Sequence, residues 1–301
     1  MRKIFIDDNV QKQFEENGYV LMDIFSERDI DSLQGIYDGN KTGGDRGLQL
    51  SVQDKDIGVI KNINCHTQGV SQDLFKKVLL DYDIIYSGFI AKVPEKPNEA
   101  GIHRDPTFVD ENRYRTMVIW TPLIDVDETN GALYMIRNTN KNDQGYRFFD
   151  YGEYVYTTDE AEIQKEFGTL IRMKRGQSLI FDTTTLHFSL KNTTDITRVA
   201  LSVILKPSES DLLAYYHNKN RNTVDVYAID QEFVLTYYQK NGDGGDLDYP
   251  LMERLPFHPP RNIGIDEFRR AYRLVNPDGH MTPITKSASL GLLDKIRRWF
   301  K

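Results

Sequence analysis

The chain has 301 residues, of which 39% are hydrophobic, 11% aromatic and 28% charged, and its formal net charge is -7. The aromatic and aliphatic content is enough to bury a core and excludes global disorder, and the acidic balance lacks the positive footprint of a nucleic-acid-binding protein. The single cysteine, Cys65, excludes an intramolecular disulfide and a cysteine-rich zinc site.

The cellular setting is predicted from what the sequence lacks. No apolar run approaches the roughly 20 residues that span a bilayer, so no membrane span is predicted. The opening segment from Met1 to Asp8 is too short and too acidic for a secretory signal. We therefore expect a cytoplasmic monomer or homodimer whose partner is a small-molecule substrate and not a nucleic acid.

The first forty residues are predicted to be helical. Ile30, Leu33 and Tyr37 recur at the spacing of one helix face. Ser26, with Asp29 three positions later, is typical of a capping box that begins a helix. A glycine-rich run then ends this predicted helix in a loop.

From about residue 57 the pattern becomes that of short strands. Each candidate strand is rich in β-branched or aromatic residues and is bounded by Gly, Pro, Asn or Asp. The candidates are 84–93, 116–123, 132–136, 168–173, 177–181, 186–191 and 197–205, with one short acidic helix at 158–167. Short strands without regular helical crossovers favour an antiparallel sandwich or jelly roll over a parallel α/β fold.

The composition changes after Pro207. Residues 208–301 contain several helical-looking segments, a glycine-rich loop at 241–246 and aromatic side chains that need a buried environment. We predict that this part is a helical extension packed on a core formed by residues 1–207. Its last residues, 290–301, form a basic amphipathic segment.

Three side chains carry the candidate metal chemistry. His103 and Asp105 are two residues apart, so on an extended strand both side chains project to the same side. His187 lies on another candidate strand. Two histidines and one carboxylate form the facial triad of non-heme Fe(II) oxygenases, which leaves coordination positions open. The alternative for His103 and Asp105 is a hydrogen-bonded pair that binds no metal.

A second group of residues follows His187. Residues 192–195 are strong turn formers, and a four-residue hairpin loop there places Ser189 opposite Arg198 and His187 opposite Ala200. These side chains then share one face of the sheet, and the other face of the second strand is the apolar set Val199, Leu201, Val203 and Leu205, which suits the core. A guanidinium beside the metal suits the distal carboxylate of a dicarboxylate that chelates the metal with its other end. A slip of one residue in this register turns Arg198 away.

The sequence resembles the phytanoyl-CoA dioxygenase family of Fe(II)/2-oxoglutarate oxygenases across roughly its first 207 residues. The residues that carry the resemblance are the opening segment 14–33, His103-Arg104-Asp105, Trp120, Asn130-Gly131-Ala132-Leu133, the segment 176–189 and Arg198. Two positions depart from the family pattern, since Arg137 follows the Asn-Gly segment where Gly-Ser-His is common, and Asp182 stands where His is common.

The resemblance implies a mainly β fold with flanking helices around a double-stranded β-helix (jelly-roll, cupin-like) core. It also implies Fe(II), 2-oxoglutarate as cosubstrate, and O2. By resemblance, His103, Asp105 and His187 bind iron. Arg198 and Ser189 hold the 5-carboxylate of 2-oxoglutarate, and Trp120 lines the site. The alternatives are that Trp120 is a core residue and that Ser189 is an ordinary polar strand residue.

The activity implied by the resemblance is hydroxylation of an unactivated C–H bond, with release of succinate and CO2. The expected substrate is a small metabolite, either an amino acid or a natural-product intermediate. The same cofactor chemistry also gives desaturation or cyclisation, and a non-catalytic cupin-like module that binds metal and 2-oxoglutarate is a further alternative. A zinc hydrolase with the same three ligands is another, although it gives Arg198 no role.

Five residues that flank these motifs are candidates for substrate binding. They are Arg104, Thr107, Tyr114, Arg115 and Arg137. Arginines in these positions suit a carboxylate or phosphate group of a substrate. The alternative for each arginine is an outward-facing charge in a weak salt bridge.

Overall fold

The computed structural model of the chain describes residues 2–40, 46–141, 146–149, 153–154, 159–240, 246–258 and 263–277. In these ranges the helices are α1 (Asp8–Asn17), α2 (Glu27–Gly39), α3 (Ile57–Phe75), α4 (Glu160–Phe167), α5 (Gln231–Lys240) and α6 (Ile265–Val275). None of the helices in these ranges is both long enough and apolar enough to cross a membrane.

The strands of these ranges outnumber the helices, so the prediction of a mainly β fold with flanking helices is confirmed. They are β1 (Tyr19–Asp23), β2 (Leu48–Leu50), β3 (Tyr82–Lys92), β4 (Ala100–Arg104), β5 (Met117–Pro122), β6 (Leu133–Ile136), β7 (Glu153–Tyr154), β8 (Gly168–Leu170), β9 (Gln177–Asp182), β10 (His187–Ser189), β11 (Arg198–Pro207), β12 (Leu213–Asn218), β13 (Thr223–Ala228) and β14 (Leu251–Pro256). Each predicted strand overlaps one of them, and the predicted acidic helix is α4.

Two antiparallel sheets form the core. The larger has the order β1-β9-β5-β11-β3-β2 and the smaller the order β7-β4-β10-β6-β8. Trp120, Phe181 and Ala200 of the larger sheet form one buried cluster with Leu133 and Met135 of the smaller sheet, so the two sheets face each other there. This arrangement is consistent with the predicted double-stranded β-helix, in which the chain passes repeatedly from one sheet to the other.

The outer face of the larger sheet is covered by helices. Alternate residues of β11, among them Leu201 and Val203, are buried in one cluster with Ile30 and Leu33 of α2 and Ile63 of α3. The predicted apolar face of this strand is therefore confirmed, and its opposite face is left for the interior between the sheets.

The predicted capping box is confirmed at the start of α2. The Ser26 side chain accepts from the backbone N–H of Asp29, and the Asp29 carboxylate accepts in return from the backbone N–H of Ser26. The prediction that the first forty residues are helical is wrong for β1, which separates α1 from α2.

The prediction that strands begin at about residue 57 is also wrong, because α3 occupies that stretch. Asp56 caps α3 by accepting from the backbone N–H of Gly58. Ile60, Ile63 and Thr67 recur at helical spacing and are buried, so this face packs as a helix before the first long strand begins.

The predicted hairpin that pairs Ser189 with Arg198 is wrong. β10 pairs with β4 and β6 in the smaller sheet, whereas β11 pairs with β3 and β5 in the larger sheet. Arg198 therefore lies opposite Lys92 of β3. The turn-forming residues instead connect the two sheets, and the Asn192 side chain stabilises this connection by donating to the backbone carbonyls of Lys92 and Ile196.

The prediction that the segment after Pro207 is helical is wrong in part. It contains α5 and α6, but β12, β13 and β14 form a separate three-stranded antiparallel sheet. The physical reason is that β13 is the central strand of this sheet: it pairs with β12 and β14, and its four residues from Val224 to Tyr227 are all buried. The predicted loop at 241–246 and the amphipathic segment 290–301 lie outside the described residues, apart from Asp246.

Candidate metal centre

His103 and His187 face each other on neighbouring strands of the smaller sheet. They are register partners in β4 and β10, and their ring centroids are 4.2 Å apart. Asp105 follows the last residue of β4, and its Oδ1 lies 3.8 Å from Nε2 of His103 and 3.9 Å from Nε2 of His187. One donor atom of each residue lies within 4.8 Å of the other two, which leaves room for one ion between them.

Both imidazoles are held in the tautomer that a metal ligand needs. Nδ1 of His103 lies 2.8 Å from the carbonyl oxygen of Gly101, and Nδ1 of His187 lies 3.0 Å from that of Thr185. A carbonyl only accepts hydrogen bonds, so each Nδ1 carries the hydrogen and each Nε2 presents its lone pair. Both Nε2 atoms are those that face Asp105.

The protonation state of His103 also suits a ligand. Burial, the largest cause, and the neighbouring His187 lower the pKa of His103 to about 4, while Asp105 and the Gly101 carbonyl oppose the shift. His103 is therefore neutral near pH 7. A metal ion binds the neutral form of imidazole, so it does not have to displace a proton from this side chain.

The backbone of Asp105 is fixed from two sides. Its N–H donates to the Thr183 carbonyl at 3.1 Å, and its carbonyl accepts from Nε of Arg147 at 2.6 Å. Arg147 is fully buried and its terminal nitrogens donate to the two carboxylate oxygens of Glu111 at 2.8 and 2.5 Å. The sequence analysis missed Arg147 and Glu111, because no spacing in the sequence relates them to Asp105.

Arg198 is buried on the inner face of the larger sheet, with its guanidinium 5.2 Å from the centroid of the Trp120 ring. It donates to the backbone carbonyls of Ile90 and Gly131 at 3.3 and 3.2 Å, and its Nε has no partner. Burial lowers the pKa of Arg198 to about 9, and no acid of the described residues compensates the charge. A buried guanidinium without a counter-charge is a site for an anion.

Ser189 and Trp120 lie on the two sheets that enclose this region. Ser189 is buried on β10 two residues after His187, and it therefore projects from the same strand face. Trp120 is buried in the cluster shared by the two sheets. The same cluster contains Phe181, whose ring centroid is 4.9 Å from that of His187, so the indole is a residue of the core that borders the candidate centre.

Lys92 is a buried basic residue that the sequence analysis missed. It lies directly opposite Arg198, and its Nζ donates to the carbonyls of Leu190 at 2.5 Å and Ser189 at 3.3 Å. Burial, the largest cause, and Arg198 lower the pKa of Lys92 to about 6, while Glu99 opposes the shift. The position could have been identified from the sequence, because Lys92 ends the largely apolar segment of β3.

The five substrate candidates are dispersed. Arg104 is buried and donates to the Thr184 carbonyl, while the Thr107 hydroxyl accepts from the backbone N–H of Arg147. Tyr114 and Arg115 line a cleft of about 250 Å³ with Arg2, Ile4, Tyr82, Asn112 and Arg113. Arg137 donates to the Glu16 carbonyl near the end of α1. None of these contacts joins the three candidate ligands, so a role in substrate binding stays a prediction for all five.

The donor set fits a non-heme iron ion. Two imidazole nitrogens and one carboxylate oxygen form the facial arrangement that leaves the remaining positions of an octahedral ion open. The buried Arg198, with its unpartnered Nε, fits the charged end of a diacid whose other end chelates such an ion.

Residues 31–200 match the family model described as phytanoyl-CoA dioxygenase (PhyH). This range contains all three candidate ligands, Trp120, Ser189 and Arg198. No similar sequence is found among curated proteins.

Solved structures provide a further comparison. The epimerase SnoN in complex with Fe3+, alpha ketoglutarate and nogalamycin RO has a TM-score of 0.51 and 12% identity, with 84% of this chain and 96% of that chain covered. The carbocyclase SnoK from nogalamycin biosynthesis has a TM-score of 0.47 and 14% identity, with 69% of this chain and 86% of that chain covered. EvdO2 from Micromonospora carbonacea var. aurantiaca, complexed with 2-oxoglutarate, has a TM-score of 0.47 and 17% identity, with 67% of this chain and 91% of that chain covered. The likeness to SnoN shows a shared fold.

Proposed function

The chain belongs to the phytanoyl-CoA dioxygenase (PhyH) family and is therefore an Fe(II)- and 2-oxoglutarate-dependent enzyme, and from this premise we propose that it hydroxylates an unactivated C–H bond of a small metabolite. In this proposal, His103, Asp105 and His187 bind Fe(II). Arg198 and Ser189 bind the distal carboxylate of 2-oxoglutarate, and Trp120 lines its pocket. The substrate is an amino acid or a natural-product intermediate.

A single structural observation carries this proposal. The three candidate ligands converge between the sheets, and Arg198 is buried on the inner face of the opposing sheet with no acidic partner among the described residues. A zinc hydrolase needs the three ligands and a water but gives such a guanidinium no role. A dicarboxylate cosubstrate accounts for both features, because one end chelates the metal and the other neutralises the buried charge.

The chain's own residues bind and orient the reactants. When bound, Fe(II) and 2-oxoglutarate supply the oxidising chemistry, in which the cosubstrate and O2 yield succinate and CO2. The Gly101 and Thr185 carbonyls fix the two imidazoles. Arg147 and Thr183 fix the backbone of Asp105. Apolar side chains between the sheets, including Phe181 beside His187, exclude water from the buried side of the centre.

The restricted access to the centre supports a small substrate. Only 19% of the His103 side chain, 24% of that of Asp105 and 6% of that of His187 are exposed. The two less buried ligands, His103 and Asp105, give the centre a side from which one group of a substrate can reach the metal. Desaturation and cyclisation use the same centre and differ in the fate of the substrate after hydrogen abstraction, so product analysis distinguishes them from hydroxylation.

The division of the chain at Pro207 is also proposed. Tyr216 and Phe233 of the later segment share a buried cluster with Ile85, Tyr86 and Phe149 of the earlier one, which supports an extension packed on the core. A cytoplasmic location and a monomeric or homodimeric state remain proposals drawn from composition. Sedimentation of the purified chain tests the oligomeric state.

The test measures succinate release from 2-oxoglutarate by protein that was loaded with Fe(II) without oxygen and then exposed to O2 and a panel of amino acids and natural products. We expect release that depends on Fe(II) and increases with the true substrate. His103→Ala and Asp105→Ala abolish it, while His66→Ala, at an exposed helix position, does not. Unchanged release in His103→Ala overturns the assignment, and binding of 2-oxoglutarate without consumption across the panel supports the non-catalytic alternative.

A further inference from the structure

Lys92 is a fully buried lysine in the wall of the candidate cosubstrate pocket. Its exposed fraction is 0%, and it lies on β3 directly opposite Arg198 of β11. Directly opposed residues of paired strands project from the same face of a sheet. Both basic side chains therefore project from the inner face of the larger sheet. Within the described residues, no carboxylate forms an ion pair with Lys92.

The amine of Lys92 reaches across to the smaller sheet. It donates to the carbonyls of Ser189, the last residue of β10, and of Leu190, which follows it. Lysines that are buried without an acid are costly, and they persist where the amine makes hydrogen bonds that nothing else replaces. Lys92 thus ties the two sheets together at Ser189, which carries the hydroxyl assigned above to the cosubstrate.

Gly131 connects the same lysine to Arg198. Its φ is +83°, and a Cβ built there would lie 2.7 Å from Cδ of Lys92 and 3.0 Å from the Leu190 oxygen. The stem of Lys92 therefore occupies the space in which any other residue would place its side chain. The carbonyl of Gly131 accepts from Nη2 of Arg198 at 3.2 Å. One lysine side chain thus contacts the Ser189–Leu190 backbone and also packs against Gly131, whose carbonyl accepts from the guanidinium.

We propose that Lys92 is a positioning residue for 2-oxoglutarate, which holds the Ser189–Leu190 backbone and Gly131 in place so that Arg198 and Ser189 meet the distal carboxylate in a preformed geometry. This inference rests on the proposed function. Preformed groups bind more tightly because less ordering is required when the ligand arrives. The effect concerns the carboxylate end of the cosubstrate and not the end that chelates the metal.

The experiment compares two ligands on Mn(II)-loaded protein by calorimetry. One is 2-oxoglutarate, and the other is 2-oxopentanoate, which has the same carbon chain without the distal carboxylate. Lys92→Met keeps most of the apolar stem of the side chain and removes the amine donors. We expect Lys92→Met to weaken 2-oxoglutarate binding about tenfold, or about 1.4 kcal/mol, and to leave the affinity for 2-oxopentanoate and for Mn(II) unchanged.

Lys206 provides the matched control. It lies toward the other end of β11, and its Nζ donates to the carbonyls of Pro207 and Ser210 at 3.2 and 2.7 Å. Lys206→Met removes comparable bonds to backbone carbonyls but lies away from Arg198, so we expect both affinities to stay as in the wild type. Thermal unfolding of each variant records the change in stability separately from the change in binding.

Two results overturn the inference while leaving the proposed function standing. One is an unchanged affinity of Lys92→Met for 2-oxoglutarate, and the other is an equal loss for both oxoacids, which indicates a purely structural role. Failure of the wild type to bind 2-oxoglutarate instead rejects the proposed function. If Lys92→Met does not fold, Lys92→Arg carries the test, because a guanidinium cannot reproduce the geometry of the two amine hydrogen bonds and is expected to show the same selective loss.

Discussion

His103 and His187 are direct cross-strand partners in β4 and β10, and this pairing brings together two imidazoles that are far apart in the sequence. Each ring is fixed through its Nδ1 by the backbone carbonyl two residues before it. The same local arrangement therefore occurs on both strands. The two Nε2 atoms converge on the same carboxylate oxygen of Asp105, so the three side chains are placed to bind one ion.

Removing one imidazole is expected to abolish tight metal binding. His187→Ala leaves two donors, and we expect the affinity for Mn(II) or Fe(II) to fall at least about 100-fold, or about 2.7 kcal/mol. Equilibrium dialysis without oxygen measures this loss. His258→Ala, at an exposed position, serves as the control and should bind metal like the wild type. Equal metal binding in both variants would exclude His187 as a ligand.

Arg147 is expected to affect metal binding through the backbone of Asp105. Arg147→Met removes the hydrogen bond to the Asp105 carbonyl and leaves Glu111 without its bidentate partner. Residues that orient metal ligands typically change metal affinity about 10- to 100-fold when they are replaced, and we expect a loss in that range. Dialysis measures the affinity, and denaturant unfolding measures the expected decrease in stability.

A second bidentate arginine provides the control for Arg147. Arg269 binds both carboxylate oxygens of Glu166 on the surface between α4 and α6. Arg269→Met loses a similar ion pair but does not contact the metal ligands, so its metal affinity should match that of the wild type. If both variants bind metal equally well, Arg147 is a stabilising residue without a positioning role.

Two glycine substitutions are expected to have opposite effects on stability. Gly131→Ala places a Cβ against the Lys92 side chain at a φ of +83° and should cost at least about 1 kcal/mol. Gly35→Ala, in the middle of α2 with nothing within 4 Å, should add about 0.4–1 kcal/mol. Urea unfolding of the two variants tests this contrast, and a stable Gly131→Ala would contradict the close packing against Lys92.

The titration of Lys92 predicts a pH dependence of stability. Burial and then Arg198 lower its pKa to about 6 in the folded chain, with Glu99 opposing, whereas in the unfolded chain it is about 10.4. Between these values the unfolded state binds more protons, so stability rises with pH. We expect the unfolding free energy of the wild type relative to Lys92→Met to rise by up to about 1.4 kcal/mol per pH unit.

Urea unfolding of both proteins across about pH 6 to 10 measures this difference. Other titrating groups are common to the two proteins and cancel when the variant is subtracted. A difference that does not change with pH would mean that Lys92 keeps its proton in the folded chain, and that its environment is more polar than its burial indicates.

The sequence by itself predicted those features that depend on residues close together along the chain. The capping box of Ser26 and Asp29 follows from a spacing of three residues, and the apolar face of β11 follows from alternation with period two. The common side of His103 and Asp105 follows from the same alternation. These interactions are local, so the geometry of one helix turn or one strand is sufficient to determine them.

Only the tertiary structure decided which strands are neighbours. The sequence predicted a hairpin with Ser189 opposite Arg198. In the structure the connection after β10 crosses to the other sheet, so the residue opposite Arg198 is Lys92. For the same reason, no spacing in the sequence revealed that Arg147 lies against Asp105. Such contacts arise when two sheets close around a shared core, and they depend on long-range packing that the local pattern of one segment does not contain.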